Sequence, residues 1–120
     1  MATQRKRQKF VLTLNRMDAE WVAFLQDKDF HDINYSDLFT GLWLSERPVR
    51  KQEAVMFMRH LGVQTAKKYL DRAIEKGLIE EIPDPEDGRA KRIQLSKSLK
   101  LGLEQFFDRA IALFDEGLRD

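Results

Sequence analysis

The sequence predicts a mainly α fold with a small β-hairpin, the α+β class, from three features in its second half. Apolar Val63, Ala66 and Leu70 recur at steps of three and four residues, the spacing of one helix face. Two strand-like runs, LIEEI at 78–82 and AKRIQL at 90–95, then flank the turn-forming segment PDPEDG. An apolar stripe predicts a long C-terminal helix after them. This order of helix, hairpin and closing helix is that of a winged helix-turn-helix.

Length and composition limit the function classes. With 120 residues, 42% hydrophobic and 34% charged, the chain is typical of one folded, soluble domain. The absence of cysteine excludes disulfides, thiolate metal sites, cysteine nucleophiles and thiol-based oxidation sensing. No apolar run approaches the roughly 18–20 residues of a membrane span, and the start does not resemble a secretory signal. We therefore expect a cytoplasmic protein without membrane contact.

The N-terminal half is less regular. We expect a flexible basic arm over residues 1–9, followed by a single domain over residues 10–120. The run FVLTL at 10–14 is compatible with a short strand or with the lead-in to a helix. Asp18 is a predicted N-cap, because apolar residues with helical spacing follow it. Ser36 is the predicted cap of a second helix, and a third is predicted over residues 51–60.

The predicted bounds are clearest around the hairpin. A helix is expected at about 63–76, because Gly77 matches the preference for glycine just after a helix end. The hairpin is expected at about 78–95. The closing helix is expected at about 97–118.

The segment TAKKYLDRAIEKGLIEEIPDPEDGRAKRIQLS (65–96) resembles the MarR family of bacterial transcription regulators. The resemblance rests on Lys76–Gly77 at the helix end, the strand LIEEI, the element Asp87-Gly88-Arg89 and the pair Leu95–Ser96. It covers about a quarter of the chain closely, and the helix order extends it. The turn before Thr65 and the N-terminal helix are shorter than the family pattern.

The resemblance implies binding to double-stranded DNA. The helix at 63–76 would be the recognition helix, and the hairpin would be the wing, with Arg89 entering the minor groove. Asp87 and Gly88 are the predicted wing supports, Asp87 through a basic side chain. Adjacent strand residues point to opposite faces, so that only one of Lys91 and Arg92 is expected to meet phosphate.

Polar residues of the recognition helix are the other candidates. Gln64 and Thr65 suit base edges, while Lys67 and Lys68 suit guanine or phosphate. The alternative is an ordinary solvated face with Asp71 and Glu75 as helical partners. The full candidate set for DNA binding is Gln64, Thr65, Lys67, Lys68, Arg72, Arg89, Lys91, Arg92, Arg5, Lys6 and Arg7.

The closing helix is apolar over a wider arc than one small core needs. We therefore expect a homodimer, which would place two recognition helices about one DNA turn apart. The alternative is that the whole stripe covers the core of the protomer. The candidate interface residues are Leu103, Phe106, Phe107, Ile111 and Phe114.

Signs of enzyme chemistry are lacking. His31 and His60 have no metal-ligand spacing, and Asp27, Asp29 and Asp32 beside His31 fit a solvated loop. We found neither a phosphate-binding glycine loop nor a nucleophile motif. We therefore expect no catalysis, no metal and no cofactor. A small-molecule effector stays open, with Trp21, Phe24, Phe39 and Trp43 either lining its pocket or forming core.

The predicted function is a sequence-specific, double-stranded DNA-binding transcription regulator, a repressor that acts as a homodimer. One alternative is a winged-helix protein-interaction module, which the formal net charge of only +1 favours. Another is a plasmid or phage replication or partition factor, which would share the DNA surface.

Overall fold

The computed structural model describes residues 1–119, so that Asp120, the last residue of the predicted domain, lies outside the described residues. The described chain contains five α-helices and three strands. The helices are α1 (Gln4–Phe24), α2 (Ile33–Ser45), α3 (Lys51–Phe57), α4 (Val63–Glu75) and α5 (Lys97–Gly117). The strands are β1 (Val49–Arg50), β2 (Ile79–Pro83) and β3 (Lys91–Leu95), and a 3₁₀ turn spans Lys28–Phe30.

The contacts divide the chain into two compact units. The first unit contains Met1–His31 and the chain from Leu101 onward. The second unit is Asp32–Lys100. We refer to them below as the helical unit and the winged unit.

In the helical unit, α1 and the second half of α5 form an antiparallel pair. Near one end the rings of Phe10 and Phe114 lie 5.9 Å apart, and near the other Arg109 lies 3.4 Å from Glu20. At the C-terminal end of α5 the helices approach closely, since a Cβ on Gly117 would lie 2.0 Å from the Thr13 hydroxyl. A larger residue at position 117 would therefore clash with Thr13.

The predicted flexible arm is wrong from Gln4 onward. Helix α1 begins at Gln4 and is capped by Thr3, whose hydroxyl accepts a 3.1 Å hydrogen bond from the backbone N–H of Lys6. The ammonium groups of Lys6 and Lys9 donate to the carbonyls of Leu118 and Arg119 at the end of α5. Cations are favoured at a helix C-terminus, where carbonyls lack partners, and this explains the order of the segment.

Asp18 does not begin a helix, because α1 already runs through it. The second predicted cap is also displaced. Asp32, not Ser36, caps α2, and its carboxylate accepts a 3.0 Å hydrogen bond from the backbone N–H of Tyr35. The run at 10–14 is helical.

Part of the predicted dimer stripe is core. Leu103 is completely buried and Phe106 is 9% exposed within one protomer. The ring of Phe106 packs on those of Trp21 at 5.1 Å and Phe24 at 6.2 Å. Leu103 and Phe106 are therefore corrected to core residues. Phe107 and Phe114 are half-buried, and Ile111 is 60% exposed.

The winged unit is built on a small antiparallel sheet with the strand order β1-β3-β2. Ile93 of β3 pairs with Val49 of β1 and with Glu81 of β2. Both Ile93 and Val49 are completely buried, so that the sheet contributes one apolar face to the core. Buried residues of α2, α3 and α4 supply the rest; they include Leu38, Phe39, Leu42, Ala54, Val55, Ala66, Leu70 and Ala73.

Helix α3 is shorter than the helix predicted over 51–60. It ends at Phe57, and residues 58–62 connect it to α4. Gly77 ends α4 with a φ of +76°, a conformation that favours glycine. The bounds of α4, the hairpin and α5 each differ by about one residue from the sequence-based bounds.

Candidate nucleic-acid interface

Helix α4 presents one polar face to solvent and one small-residue face to the core. Ala66, Leu70 and Ala73 are each at most 1% exposed. Small side chains at this spacing let the helix lie close to its neighbours. The outer positions are all exposed: Gln64, Thr65, Lys67, Lys68, Asp71, Arg72 and Glu75. All five residues predicted on this helix therefore lie on its accessible face.

Two tyrosines fix the rotation of α4 about its axis. The rings of Tyr35 on α2 and Tyr69 on α4 stack at 4.8 Å, and the Tyr35 hydroxyl donates to the Tyr69 carbonyl at 2.9 Å. The Tyr69 hydroxyl donates to a carboxylate oxygen of Asp32 at 3.0 Å. This hydrogen bond, together with burial, raises the pKa of Tyr69 above its ordinary value. Tyr69 is therefore held on the side of the helix and is not part of the outer face.

The turn of the wing is organised by Asp84, a residue that sequence analysis did not single out. Its side chain is 3% exposed, and one carboxylate oxygen accepts from the backbone N–H groups of Glu86 at 2.8 Å and Asp87 at 3.4 Å. Its own N–H donates to the Ala90 carbonyl at 3.1 Å and closes the loop. A buried carboxylate with these donors acts as the centre of the turn.

Arg92 neutralises this carboxylate. Its Nε donates to Asp84 Oδ2 at 3.0 Å, and its side chain is only 20% exposed. Hydrogen bonds from the Glu86 and Asp87 backbone, followed by Arg92, hold the pKa of Asp84 below its ordinary value. Arg92 is therefore corrected from a DNA contact to a structural residue, and Lys91 is the exposed member of the pair.

Asp87 supports the wing through the backbone rather than through a basic side chain. Its carboxylate accepts from the Arg89 N–H at 3.1 Å, and its carbonyl accepts from the Ala90 N–H at 3.0 Å. These two bonds hold the residue that carries the exposed Arg89 side chain. Gly88 has open space around a hypothetical Cβ and a φ outside the left-handed region, so that the turn does not require a glycine there.

A second ion pair joins the wing to α3. Lys51 Nζ lies 3.0 Å from Glu81 Oε2, and this hydrogen bond lowers the pKa of Glu81. Asp84 and Glu81, two acids of the hairpin, thus have cationic partners inside the winged unit. Arg89 and Lys91 stay exposed near the turn, as do the acids Glu86 and Asp87.

The remaining predicted cations belong to the helical unit. Arg5 and Arg7 are exposed on α1, whereas Lys6 bonds to the Leu118 carbonyl. The structure therefore brings the α4 and wing residues together in the winged unit and places the basic N-terminal residues in the other. Lys6 is corrected to a residue that caps α5.

The aromatic residues considered for an effector pocket have core roles. Phe39 is completely buried, and Trp21 and Phe24 pack on Phe106. Trp43 borders a small cleft beside Pro48 and Lys100. The core alternative thus accounts for Phe39, Trp21 and Phe24.

Within residues 1–119 no group of three or more His, Asp or Glu side chains is arranged to hold a metal ion. None of the helices in this range combines the length and apolar character that a membrane span requires.

Helices α3 and α4, the turn at residues 58–62 between them and the three-stranded sheet with its β2–β3 hairpin define this chain as a winged helix-turn-helix protein. It is similar to a transcriptional regulator from Thermotoga maritima, with a TM-score of 0.60, 18% identity, and coverage of 95% of this chain and 78% of that one. A probable transcriptional regulator from Pseudomonas aeruginosa gives a TM-score of 0.56 at 20% identity, over 91% and 79% of the two chains.

A MarR variant from E. coli complexed with operator DNA gives a TM-score of 0.57 at 17% identity, over 90% of this chain and 76% of that one. These likenesses confirm the predicted α+β winged helix-turn-helix fold and show that the chain has the fold of MarR regulators. No family model matches the chain. No curated protein matches it in sequence.

Proposed function

We propose that this protein is a sequence-specific, double-stranded DNA-binding transcription regulator that acts as a homodimer and represses by occluding a promoter. The observation that carries the proposal is the outer face of α4, where Gln64, Thr65, Lys67, Lys68 and Arg72 are all exposed. The fold likeness to a MarR variant that is complexed with operator DNA supports it.

In this proposal α4 lies in the major groove. Residues at the N-terminal half of such a helix meet base edges, and Gln64 and Thr65 occupy that half. Lys67 and Lys68 would bind guanine or phosphate, and Arg72 would bind phosphate farther along the helix.

The wing would contact the DNA beside the helix. The exposed guanidinium of Arg89 suits a narrow minor groove, where the negative potential is enhanced. Lys91 would contact phosphate in place of Arg92, which is engaged with Asp84. Arg5 and Arg7 remain candidates for backbone contacts, because both are exposed.

The homodimer would form through the helical unit. Ile111 on α5 is 60% exposed, and Val11 and Leu12 on α1 are 51% and 65% exposed. Apolar side chains on both helices of the antiparallel pair leave surface that a second copy would cover. Phe107 and Phe114, which are half-buried, would complete their burial in such an interface.

The test is fluorescence anisotropy of the full chain with labelled duplex DNA from upstream of its own gene. The titration is run with unrelated competitor DNA and over a salt series. Tight, competitor-resistant binding that weakens steeply with salt supports the proposal, because each neutralised phosphate contributes a slope of about −0.9 to log K against log salt. Binding that any competitor removes would indicate a replication or partition factor instead.

A protein-interaction module is the second candidate. Asp71 and Glu75 are exposed on the same face of α4 and would repel phosphate unless they meet base donors. Absence of DNA binding even at low salt would favour this candidate over the regulator.

A further inference from the structure

The outer face of the winged unit contains an apolar patch between α3 and α4. Met56 near the end of α3 is 69% exposed, and Val63 at the first position of α4 is 51% exposed. They border an open groove of about 740 Å³, which also includes Gln52, Lys67 and Asp71. We call Met56 and Val63 the apolar pair.

Folding does not account for the apolar pair. A β-branched residue is a poor helix former, and the N-terminus of α4 has no side-chain cap. Half or more of each side chain stays in water, so that little of the hydrophobic stabilisation of a buried residue is gained. Position 63 is the first residue of the helix, where an acidic side chain would interact favourably with the positive helix end.

The position of Val63 points to base readout. It directly precedes Gln64 at the N-terminal end of α4, where winged helices meet base edges. The 5-methyl group of thymine is the apolar feature that the bases present in the major groove, and Gln is suited to pair with adenine. The two residue types therefore match A·T base pairs.

We propose that Val63, flanked by Met56, contacts a thymine 5-methyl group and so makes an A·T pair a specificity determinant of each half-site. This inference rests on the proposed DNA-binding function and names the base that the helix recognises. Gln64 would hydrogen-bond adenine in the same pair or in the neighbouring one.

The size of the patch favours DNA over a protein partner. A stable protein interface buries roughly 1,200–2,000 Å² in total, far more than two side chains offer, whereas one methyl group needs only a small apolar contact. Lys67 borders the same groove, and Lys68 is exposed on the adjacent face. The acids Glu53 and Asp71 line the groove as well, so that the small size of the patch, and not its charge, distinguishes DNA from a protein partner.

The experiment uses duplexes selected by the full chain from a random DNA pool. In the selected site each thymine is replaced in turn by deoxyuridine, which removes only the 5-methyl group. Anisotropy titrations then give Kd for every duplex. At one or two positions in each half-site we expect the replacement to weaken wild-type binding by about fourfold, the value of one buried methyl group.

Val63→Ala provides the matching protein change. It should weaken binding to the thymine duplex by a similar factor and should bind the thymine and deoxyuridine duplexes equally. Val22→Ala is the control, because Val22 is also 51% exposed but lies on α1. It should keep both the affinity and the thymine preference of the wild type.

The outcomes separate the two proposals. Tight binding to a selected site without a deoxyuridine effect at any position overturns the thymine contact and leaves the regulator intact. A deoxyuridine effect that persists in Val63→Ala also overturns it, because another residue then reads the methyl group. Failure to select any site refutes the DNA-binding function itself.

Discussion

Substitution of Gly41 by alanine tests how closely α2 packs against Phe57 at the end of α3. An added Cβ would lie 2.7 Å from Cγ and Cδ2 of Phe57 and 3.1 Å from its Cβ. Because Cγ lies on the axis about which the ring turns, rotation of the ring alone cannot relieve the contact. Overpacking of this kind costs about 1–3 kcal/mol, whereas alanine in a helix interior gains about 1 kcal/mol over glycine. We therefore expect Gly41→Ala to lower the free energy of unfolding by about 1 kcal/mol.

The assay is urea unfolding followed by circular dichroism, in the wild type and in a Phe57→Ala background. Removal of the Phe57 ring eliminates the two contacts at 2.7 Å and leaves only the weaker one at 3.1 Å, so that Gly41→Ala should there stabilise by up to about 1 kcal/mol. The sign change is the decisive result, and the denaturant slope should stay constant. If Gly41→Ala had the same sign in both backgrounds, the close contact would not exist in solution and the reasoning would be refuted.

Three further predictions concern the proposed interfaces and the wing. Arg89→Ala should weaken operator binding by about tenfold and reduce the salt slope by about one per protomer, without changing the unfolding curve; unchanged affinity would remove the wing from the mechanism. Ile111→Glu should give a monomer in light scattering, whereas Leu101→Glu, at 58% against 60% exposure on the same helix, should leave the dimer intact; equal effects would contradict the proposed interface. Asp84→Asn should lower Tm at neutral pH, because the pKa of Asp84 is depressed in the folded state and its stabilisation is present above about pH 4. That Tm difference should shrink as the pH falls below about 4, and a difference independent of pH would assign it to something other than the charge paired with Arg92.

The winged unit was largely predictable because its signals are local. Apolar residues at steps of three and four identify α4, and Gly77 marks its end through a φ that other residues rarely adopt. The segment between Pro83 and Gly88 predicts a turn from residue type alone. These features depend on neighbours within a few positions, so that a single sequence contains them.

The helical unit could not be predicted in the same way, because its structure depends on contacts between residues far apart in the sequence. The start of α1 is polar and basic, and its order comes from carbonyls more than 100 positions away, to which Lys6 and Lys9 donate. A helix stripe likewise does not show which apolar residues face the same protomer. Phe106 faces Trp21 and is core, while Ile111, five positions later, is exposed. Pairing between α1 and α5 decides this, and no local pattern encodes it.

The sequence alone also does not show which acidic residues of the wing are buried. Asp84, Glu86 and Asp87 look alike in the sequence, yet only Asp84 is buried. Its role follows from backbone donors that the closed turn gathers around one carboxylate. The available signal was its place between Pro83 and Pro85, which restrict the chain on both sides.

This arrangement of charges limits what can be concluded about DNA binding from the net charge of +1. Asp84 is paired with Arg92 and Glu81 with Lys51, and each pair adds nothing to the net charge. The field at a surface depends on the exposed charges close to it, since ions screen exposed charges beyond roughly 8 Å at physiological salt. The tip of the wing exposes Arg89 and Lys91 together with the acids Glu86 and Asp87, so that the net charge alone does not decide between DNA and a protein partner.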